Sequence, residues 1–428
     1  MQGYDVAVVG AGPAGIMAAI RAGQLKKNVV LIERGSSLGK KILLSGKGRC
    51  NLTNVVAMGE FISRFGKQGE FLRSAFSRFF NQELTDFFKA KGLDLKIERQ
   101  GRVFPITDKA VSIIEVLKSS LRENDVRVLY NKRLLNVRKE DEFFRLFLEG
   151  QQEIRARKVI LATGGASFSF TGSDGDGFNI AKRLGHTIVP LKPGLVPLRA
   201  EERWVKCLKG LTLKNIRLTF KGKKKKIVSD IGELLFTHFG VSGPLVLDLS
   251  RAALDLLEKD KGLELEIDFK PGLTYEQLEN RLLRELRING NKNIKNVLKN
   301  ILPLRVLAVF VNLLGLDYNK KGNQLSRGER QAIVDLLKKF TLHIVGSLPL
   351  EEAMVTCGGI STQEINPRTM ESRIMNGLYF AGEIIDASAT SGGYNLQQAF
   401  STGYLAGGFA YRKANHRPLA GEQAVCAK

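Results

Sequence analysis

The turn that most constrains this chain is Gly10-Ala-Gly12-Pro13-Ala14-Gly15. It lies between an apolar, β-branched run, Tyr4-Asp-Val-Ala-Val-Val9, and a helix-favouring run, Ile16-Met-Ala-Ala-Ile-Arg-Ala22. Gly-x-Gly-x-x-Gly in that setting implies the first strand–turn–helix of a doubly wound α/β fold. Gly10 allows the tight turn, Gly12 lets a pyrophosphate approach the backbone, and Gly15 lets helix and strand pack closely. Pro13 and Ala14 open the helix, where unpaired N–H groups and the macrodipole favour anionic oxygen. Glu33 ends the next apolar strand, Asn28-Val-Val-Leu-Ile-Glu33, placed to accept a bond from a ribose hydroxyl, with Arg34 beside it. Dinucleotide binding is the implied role, and a purely structural βαβ turn is the alternative.

A chain of 428 residues has room for two or three domains with substantial cores. The charged Asp5 and the glycine turn occupy the start, so no secretory signal is expected there. No apolar run reaches the roughly 18 residues of a membrane span; Ile301–Leu316 is broken by Arg305 and Asn312. Cys50, Cys207, Cys357 and Cys426 form no Cys-x-x-Cys pair. They read as reduced thiols of a cytoplasmic protein without a metal. The net charge of +23 would attract polyanions, although a merely solvated basic surface would carry it too.

Strand and helix signals alternate over residues 1–190 and again over 343–428, as in a nucleotide-binding domain split by an insertion. Within the insertion, 191–272 is β-rich, with runs such as Asn215-Ile-Arg-Leu-Thr-Phe220 and Leu263-Glu-Leu-Glu-Ile-Asp-Phe269. Residues 273–342 are helical, with Leu278, Leu282, Leu283 and Leu286 at helical spacing. From Phe71 to Leu93 an apolar stripe, including Phe76, Phe79, Phe80, Phe87 and Phe88, predicts a core-facing helix.

Further motifs choose between FAD and NAD. Val159-Ile-Leu-Ala-Thr163-Gly164-Gly165 is an apolar strand ending in the manner of two-dinucleotide-binding flavoproteins. Near the C-terminus, Gly377-Leu-Tyr-Phe-Ala-Gly382-Glu383-Ile-Ile-Asp386 ends another strand, and Gly392-Gly393-Tyr394-Asn395-Leu396 opens a helix. That helix N-terminus could stabilise negative charge on a flavin ring. An NAD-only dehydrogenase would not need it, so the three together point to FAD. Between them, Gly39-Lys-Lys41-Ile-Leu-Leu-Ser45-Gly46-Lys-Gly48-Arg49-Cys50-Asn51 places Lys40, Lys41, Lys47 and Arg49 within ten residues. These cations serve either the cofactor or the mouth of a site for an anionic substrate. Cys50 could donate a proton beside the flavin, or simply be a small buried side chain.

Gly46-Lys-Gly-Arg-Cys-Asn51, Gly232-Glu-Leu-Leu-Phe-Thr-His-Phe-Gly-Val-Ser-Gly-Pro244, Thr356-Cys-Gly-Gly-Ile360, Thr369-Met-Glu-Ser372 and Gly392-Gly-Tyr-Asn395 resemble the BaiN/RdsA family of bacterial flavoproteins over almost the full length. The resemblance implies a Rossmann-like, two-dinucleotide-binding FAD domain, split by a β-barrel-like domain and a helical domain. It implies one of several activities: reduction of uridine to dihydrouridine in 23S ribosomal RNA, reduction of unsaturated 3-oxo bile acids, or oxidation of aminoacetone. Two departures fall near the cofactor. Phe170 stands where members commonly have proline nearby, and Asp386-Ala-Ser-Ala-Thr-Ser391 lacks an expected glycine.

Both reductive activities add a hydride to the β-carbon of a C=C bond conjugated with a carbonyl, and a proton to the α-carbon. Candidate acids are Cys50, His238 and Tyr394. Basic residues favour the RNA substrate: Lys223, Lys224, Lys225 and Lys226 in one run, and Arg284, Arg287 and Lys295 in the helical segment. The alternatives are a small-molecule flavin reductase or oxidase, and a non-catalytic flavoprotein. No second Gly-x-Gly-x-x-Gly appears, so NADH or NADPH would visit as a transient donor. The choice between them, and the oligomeric state, stay open.

Overall fold

The computed structural model describes residues 3–410, so Cys426 lies outside the described residues. The chain divides into two compact units: Met1–Lys192 together with Val355–Lys428, and Pro193–Met354.

In the first unit, β1 (Gly3–Val9) is followed by α1 (Pro13–Gln24) and β2 (Val29–Ile32). β1 pairs in parallel with β2, register Val6↔Val29 to Val9↔Ile32, and with strand Gln152–Leu161 on its other side. Val6 to Val9 are buried, as expected of a strand covered on both faces. Strand Gln152–Leu161 divides its far edge: Gln152–Ala156 pairs antiparallel with Phe143–Leu148, while Val159–Leu161 pairs parallel with Leu378–Phe380. That second pairing brings the returning chain, and with it Gly382 and Glu383, beside Ala162-Thr163-Gly164. The C-terminal helix Tyr394–Phe409 then packs on α1. A Cβ at Gly403 or Gly407 would stand 2.1 or 2.3 Å from the carbonyl oxygens of Ala14 and Ala18, so only glycine permits this helix contact.

The apolar stripe of 71–93 forms two helices, Gly69–Phe76 and Asn81–Ala90, rather than one. The Glu83 carboxylate accepts from Phe80 N, and the Asn81 amide donates to Asn54 O and Val56 O, which caps the second helix and pins its start. Both helices face the core: Leu72, Phe76, Leu84 and Phe88 are buried, and Phe76 and Phe80 join Phe61 in an aromatic cluster.

The second unit holds a closed antiparallel barrel. Its order runs Thr212–Lys221, Gly232–Phe236, Gly240–Ser242, Leu198–Ala200, Phe340–Ser347, Leu263–Asp268 and back to Thr212–Lys221. Closure leaves no exposed sheet edge on these six strands. Leu263, Leu265 and Ile267 point inward, alternating with Glu264, Glu266 and Asp268. Helices Tyr275–Asn289, Leu304–Leu313 and Arg327–Lys338 share the barrel's core, where Phe340 meets the rings of Trp204, Phe269 and Phe310. Two of these helices start on capping boxes, Thr274 with Gln277 and Ser326 with Glu329. Among the described residues no helix is long and apolar enough to cross a membrane, and no group of three or more His, Cys, Asp or Glu is gathered to hold a metal.

Candidate cofactor site

The glycine turn has the geometry its sequence requires. Gly10 has φ +97°, and a Cβ there would stand 2.5 Å from Ala162 O; one at Gly15 would stand 1.8 Å from Gly10 O. A Cβ at Gly12 meets nothing within 4 Å, so the space above it is open. α1 begins at Pro13 with no side chain capping its first turn, which leaves its orphan N–H groups to an anion. Nearby, Thr163 Oγ1 is buried without a hydrogen-bond partner. Glu33 braces the turn: Oε2 accepts from Ala11 N (2.8 Å) and Oε1 from Gly35 N (2.7 Å). Each oxygen keeps a lone pair for a ribose hydroxyl. Arg34 pairs with Asp174 and Asp176, and Arg133 Nε donates to Asp176 Oδ2 at 2.6 Å, tying down the loop after Gly172. Despite burial, which pushes it up, these arginines and the Asp176 N–H hold Asp174 below the usual carboxylate range.

Four segments distant in sequence converge on Lys41. Its ammonium donates to Ser167 Oγ (2.8 Å) and to Glu383 Oε2 and Oε1 (2.7 and 3.0 Å). Glu383 also accepts from Thr356 N (2.8 Å), and Thr356 Oγ1 accepts from Ala166 N (2.8 Å). A Cβ at Gly165 would stand 2.3 Å from Thr356 Oγ1, so Gly165 is fitted to this network. Ser167 and Thr356 were not among the expected site residues. Each lies one residue removed from a glycine pair, and Thr356 opens the Thr356-Cys-Gly-Gly-Ile360 motif.

After helix Lys40–Leu44 the chain turns left-handed at Gly46, Lys47, Gly48 and Cys50. Ser45 O accepts from Cys50 N (3.0 Å), and Ser45 Oγ donates to Ile42 O (2.7 Å). The Cys50 side chain is fully buried, and burial pushes its thiol up to about 12, against a smaller opposing effect of a bond with Ser45. Arg49 is engaged within the protein: it pairs with Glu98 (2.8 Å) and Asp108 (3.3 Å) and lies 4.1 Å over the Phe104 ring.

The two asparagines that follow clamp the C-terminal motif. Asn51, with its oxygen accepting from Gly393 N (3.1 Å) and its nitrogen donating to Thr53 O (3.2 Å), meets Gly393 in the left-handed conformation. Asn54 Nδ2 donates to Gly392 O (3.2 Å). Asn395 accepts from Ala389 N and donates to Ala389 O, closing the loop before the helix. Tyr394 is buried edge-on against Phe61 at 4.7 Å, and Leu396 packs on the same core. Asp386 Oδ2 accepts from Gln68 Nε2 (2.9 Å), a partner not expected from sequence. Gly382 has φ +79°, and a Cβ there would crowd the Ala14 side chain at 2.7 Å. Helix Tyr394–Phe409, like α1, begins without a side-chain cap.

The first unit therefore gathers Gly10 to Gly15, Glu33, Lys41, Thr163 to Gly165, Glu383 and the Gly393 helix terminus around an open glycine turn. The open space at Gly12 and the uncapped helix N-terminus fit the pyrophosphate of FAD. The remaining expected residues lie in the second unit. His238 is exposed, in the turn between strands Gly232–Phe236 and Gly240–Ser242, with its ring 4.9 Å from Phe239. Lys223, Lys224, Lys225 and Lys226 form the tip of a hairpin between Thr212–Lys221 and Lys226–Val228; Arg284, Arg287 and Lys295 are exposed on helices.

Known proteins resemble this chain over most of its length. The chain is 32% identical to the 3-dehydro-bile acid delta(4,6)-reductase of Clostridium scindens over 96% of this chain and 99% of that one. It is also 32% identical to the ribosomal RNA dihydrouridine synthase of Escherichia coli, over 94% and 97%. Its fold matches the 3-ketosteroid delta1-dehydrogenase of Sterolibacterium denitrificans with a TM-score of 0.53 at 14% identity, covering 96% of this chain and 99% of that one. A family described as HI0933-like protein Rossmann domain matches residues 4–409, and the chain belongs to that family of flavin-dependent oxidoreductases.

Proposed function

We propose that the chain takes electrons from NADH or NADPH and reduces uridine to dihydrouridine in 23S ribosomal RNA. The observation that carries this reading is the unpaired basic surface of the second unit. Lys223 to Lys226, Arg284, Arg287 and Lys295 are exposed, and none has an ion-pair partner among the described residues. Such a surface binds RNA by releasing its counterions, and a small substrate has no use for it. The similarity to the Escherichia coli dihydrouridine synthase supports the same substrate.

Bound FAD would supply hydride transfer. The chain's residues bind and orient. The α1 N-terminus holds the phosphates, Glu33 a ribose, and the Lys41–Glu383 pair fixes a cation at the meeting point of four segments. The proton donor is sought among three side chains that differ in access. Cys50 keeps its proton at neutral pH but is fully buried, Tyr394 is almost as buried, and His238 is exposed. A donor's variant forms no dihydrouridine while retaining bound flavin and its reduction by NAD(P)H.

The test is to incubate purified holoenzyme, NAD(P)H and 23S rRNA lacking dihydrouridine, and to count dihydrouridine by mass spectrometry. Its formation in proportion to oxidised NAD(P)H is expected; oxidation of NAD(P)H with no change in the RNA would overturn the reading. Equal identity to a bile-acid reductase favours a second reading, reduction of a small enone, for which turnover would be indifferent to salt.

A further inference from the structure

The turn after Ala162-Thr-Gly-Gly165 carries two aromatic rings, Phe168 and Phe170. Phe168 has φ +50° and ψ +52°, a left-handed conformation that bulky L residues rarely hold. Phe170 is 72% exposed, and its ring meets Phe168 edge-on at 5.7 Å. The turn is pinned. Thr171 donates to Phe168 O from both its N–H and its hydroxyl (2.8 Å each), Gly172 N donates to Ser169 O (3.0 Å), and Arg34 reaches Gly172 O (3.5 Å). On the inner side, Lys41 Nζ lies 6.0 Å from the Phe168 ring centre, and Ser167 belongs to the Lys41–Glu383 network. A strained backbone and a solvent-facing aromatic are each unfavourable alone. Held together on a pinned turn, they mark a surface shaped for a flat ligand.

We propose that Phe170, braced by Phe168, stacks on the base of a nucleotide adjoining the target uridine. The proposal rests on the RNA reading above and names a contact within it. A uridine turned out of its strand leaves its neighbours unstacked, and such bases pack on aromatic side chains whatever their sequence. A fused-ring enone presents a mostly aliphatic face, and any apolar side chain would serve it about equally well.

The test compares the holoenzymes of wild type, Phe170→Ala, Phe170→Leu and Phe170→Trp. Each binds a uridine-containing single-stranded RNA oligonucleotide, followed by fluorescence anisotropy over a range of salt. Loss of one stacked base is expected to weaken binding roughly 5- to 100-fold in Phe170→Ala and Phe170→Leu. Phe170→Trp is expected to stay within about 3-fold of wild type. The dependence of affinity on salt is expected to stay the same in all four, because no phosphate contact is removed. Flavin absorbance is expected to be equal throughout. Wild-type affinity in Phe170→Ala, or full retention in Phe170→Leu, would overturn the stacking role alone. Failure of the wild type to bind the oligonucleotide would overturn the stacking role and the RNA reading together.

Discussion

The two units show two uses of positive charge. In the first, the cations around the cofactor site are committed within the protein: Arg34 and Arg133 to Asp174 and Asp176, Lys41 to Glu383, Arg49 to Glu98 and Asp108. In the second, Lys338 and Lys320 are likewise paired, with Asp268 and Glu329, but a run of four lysines on one hairpin faces water. Its turn is held through backbone N–H groups, Gly222 N donating to Lys225 O and Lys223 N to the Asp260 carboxylate at Oδ2. A paired cation fixes loops; an unpaired cation on a fixed hairpin is offered to a partner. On the proposed RNA reading, that difference separates cofactor-holding charge from substrate-seeking charge within one net value of +23.

Four changes sharpen or break the contrast. The largest effect is expected from Gly15→Ala, whose new methyl would stand 1.8 Å from Gly10 O. Stability should fall by about 3 kcal/mol or more, with loss of bound flavin, read by thermal unfolding and visible absorbance. Changing Lys223 to Lys226 together to glutamine should leave flavin content intact. The slope of log affinity for rRNA against log salt should fall by about 3 to 4, at ~0.9 per phosphate contact. An unchanged slope would remove the hairpin from the interface.

Glu383→Gln leaves the partly buried Lys41 ammonium without its carboxylate, and is expected to cost about 1–3 kcal/mol in denaturant unfolding. The double variant with Lys41→Met should cost less than the sum of the single changes, because no unpaired charge remains. The smallest effect concerns His343, whose bond to Glu202 (2.7 Å) raises it above the usual histidine range. A raised base stabilises the fold fully below its unfolded value of about 6.5, and the gain fades as pH rises through the higher folded value. His343→Ala should therefore slightly lower the melting temperature at acidic pH and leave it unchanged at alkaline pH.

Local geometry was legible in the sequence and tertiary convergence was not. Gly15 answers to Gly10 O within the same turn, so the spacing of the two could be read from sequence. Gly393, left-handed at a helix start, is likewise local. Ser167, Thr356 and Gln68 act only through partners hundreds of residues away or on other segments, and their residue types signal nothing by themselves. The stripe of 71–93 read as one helix because apolar periodicity continues through Ser77–Phe80. What breaks it is polar: Glu83 capping Phe80 N and Asn81 anchored to Asn54. Barrel closure depends on pairing Arg217–Lys221 with Glu264–Asp268, a contact between strands that alternate like any others. The pattern announces strands but not which edges meet.

The most direct measurement is nucleoside mass spectrometry of 23S rRNA from cells with and without this gene, in a strain with no second enzyme making dihydrouridine there. The expected result is loss of the two-hydrogen mass gain of dihydrouridine on deletion. The wild-type gene should restore it, and the hairpin variant should restore it poorly. Unchanged dihydrouridine in the deleted strain would contradict the RNA assignment and return the flavin site to a small enone or amine.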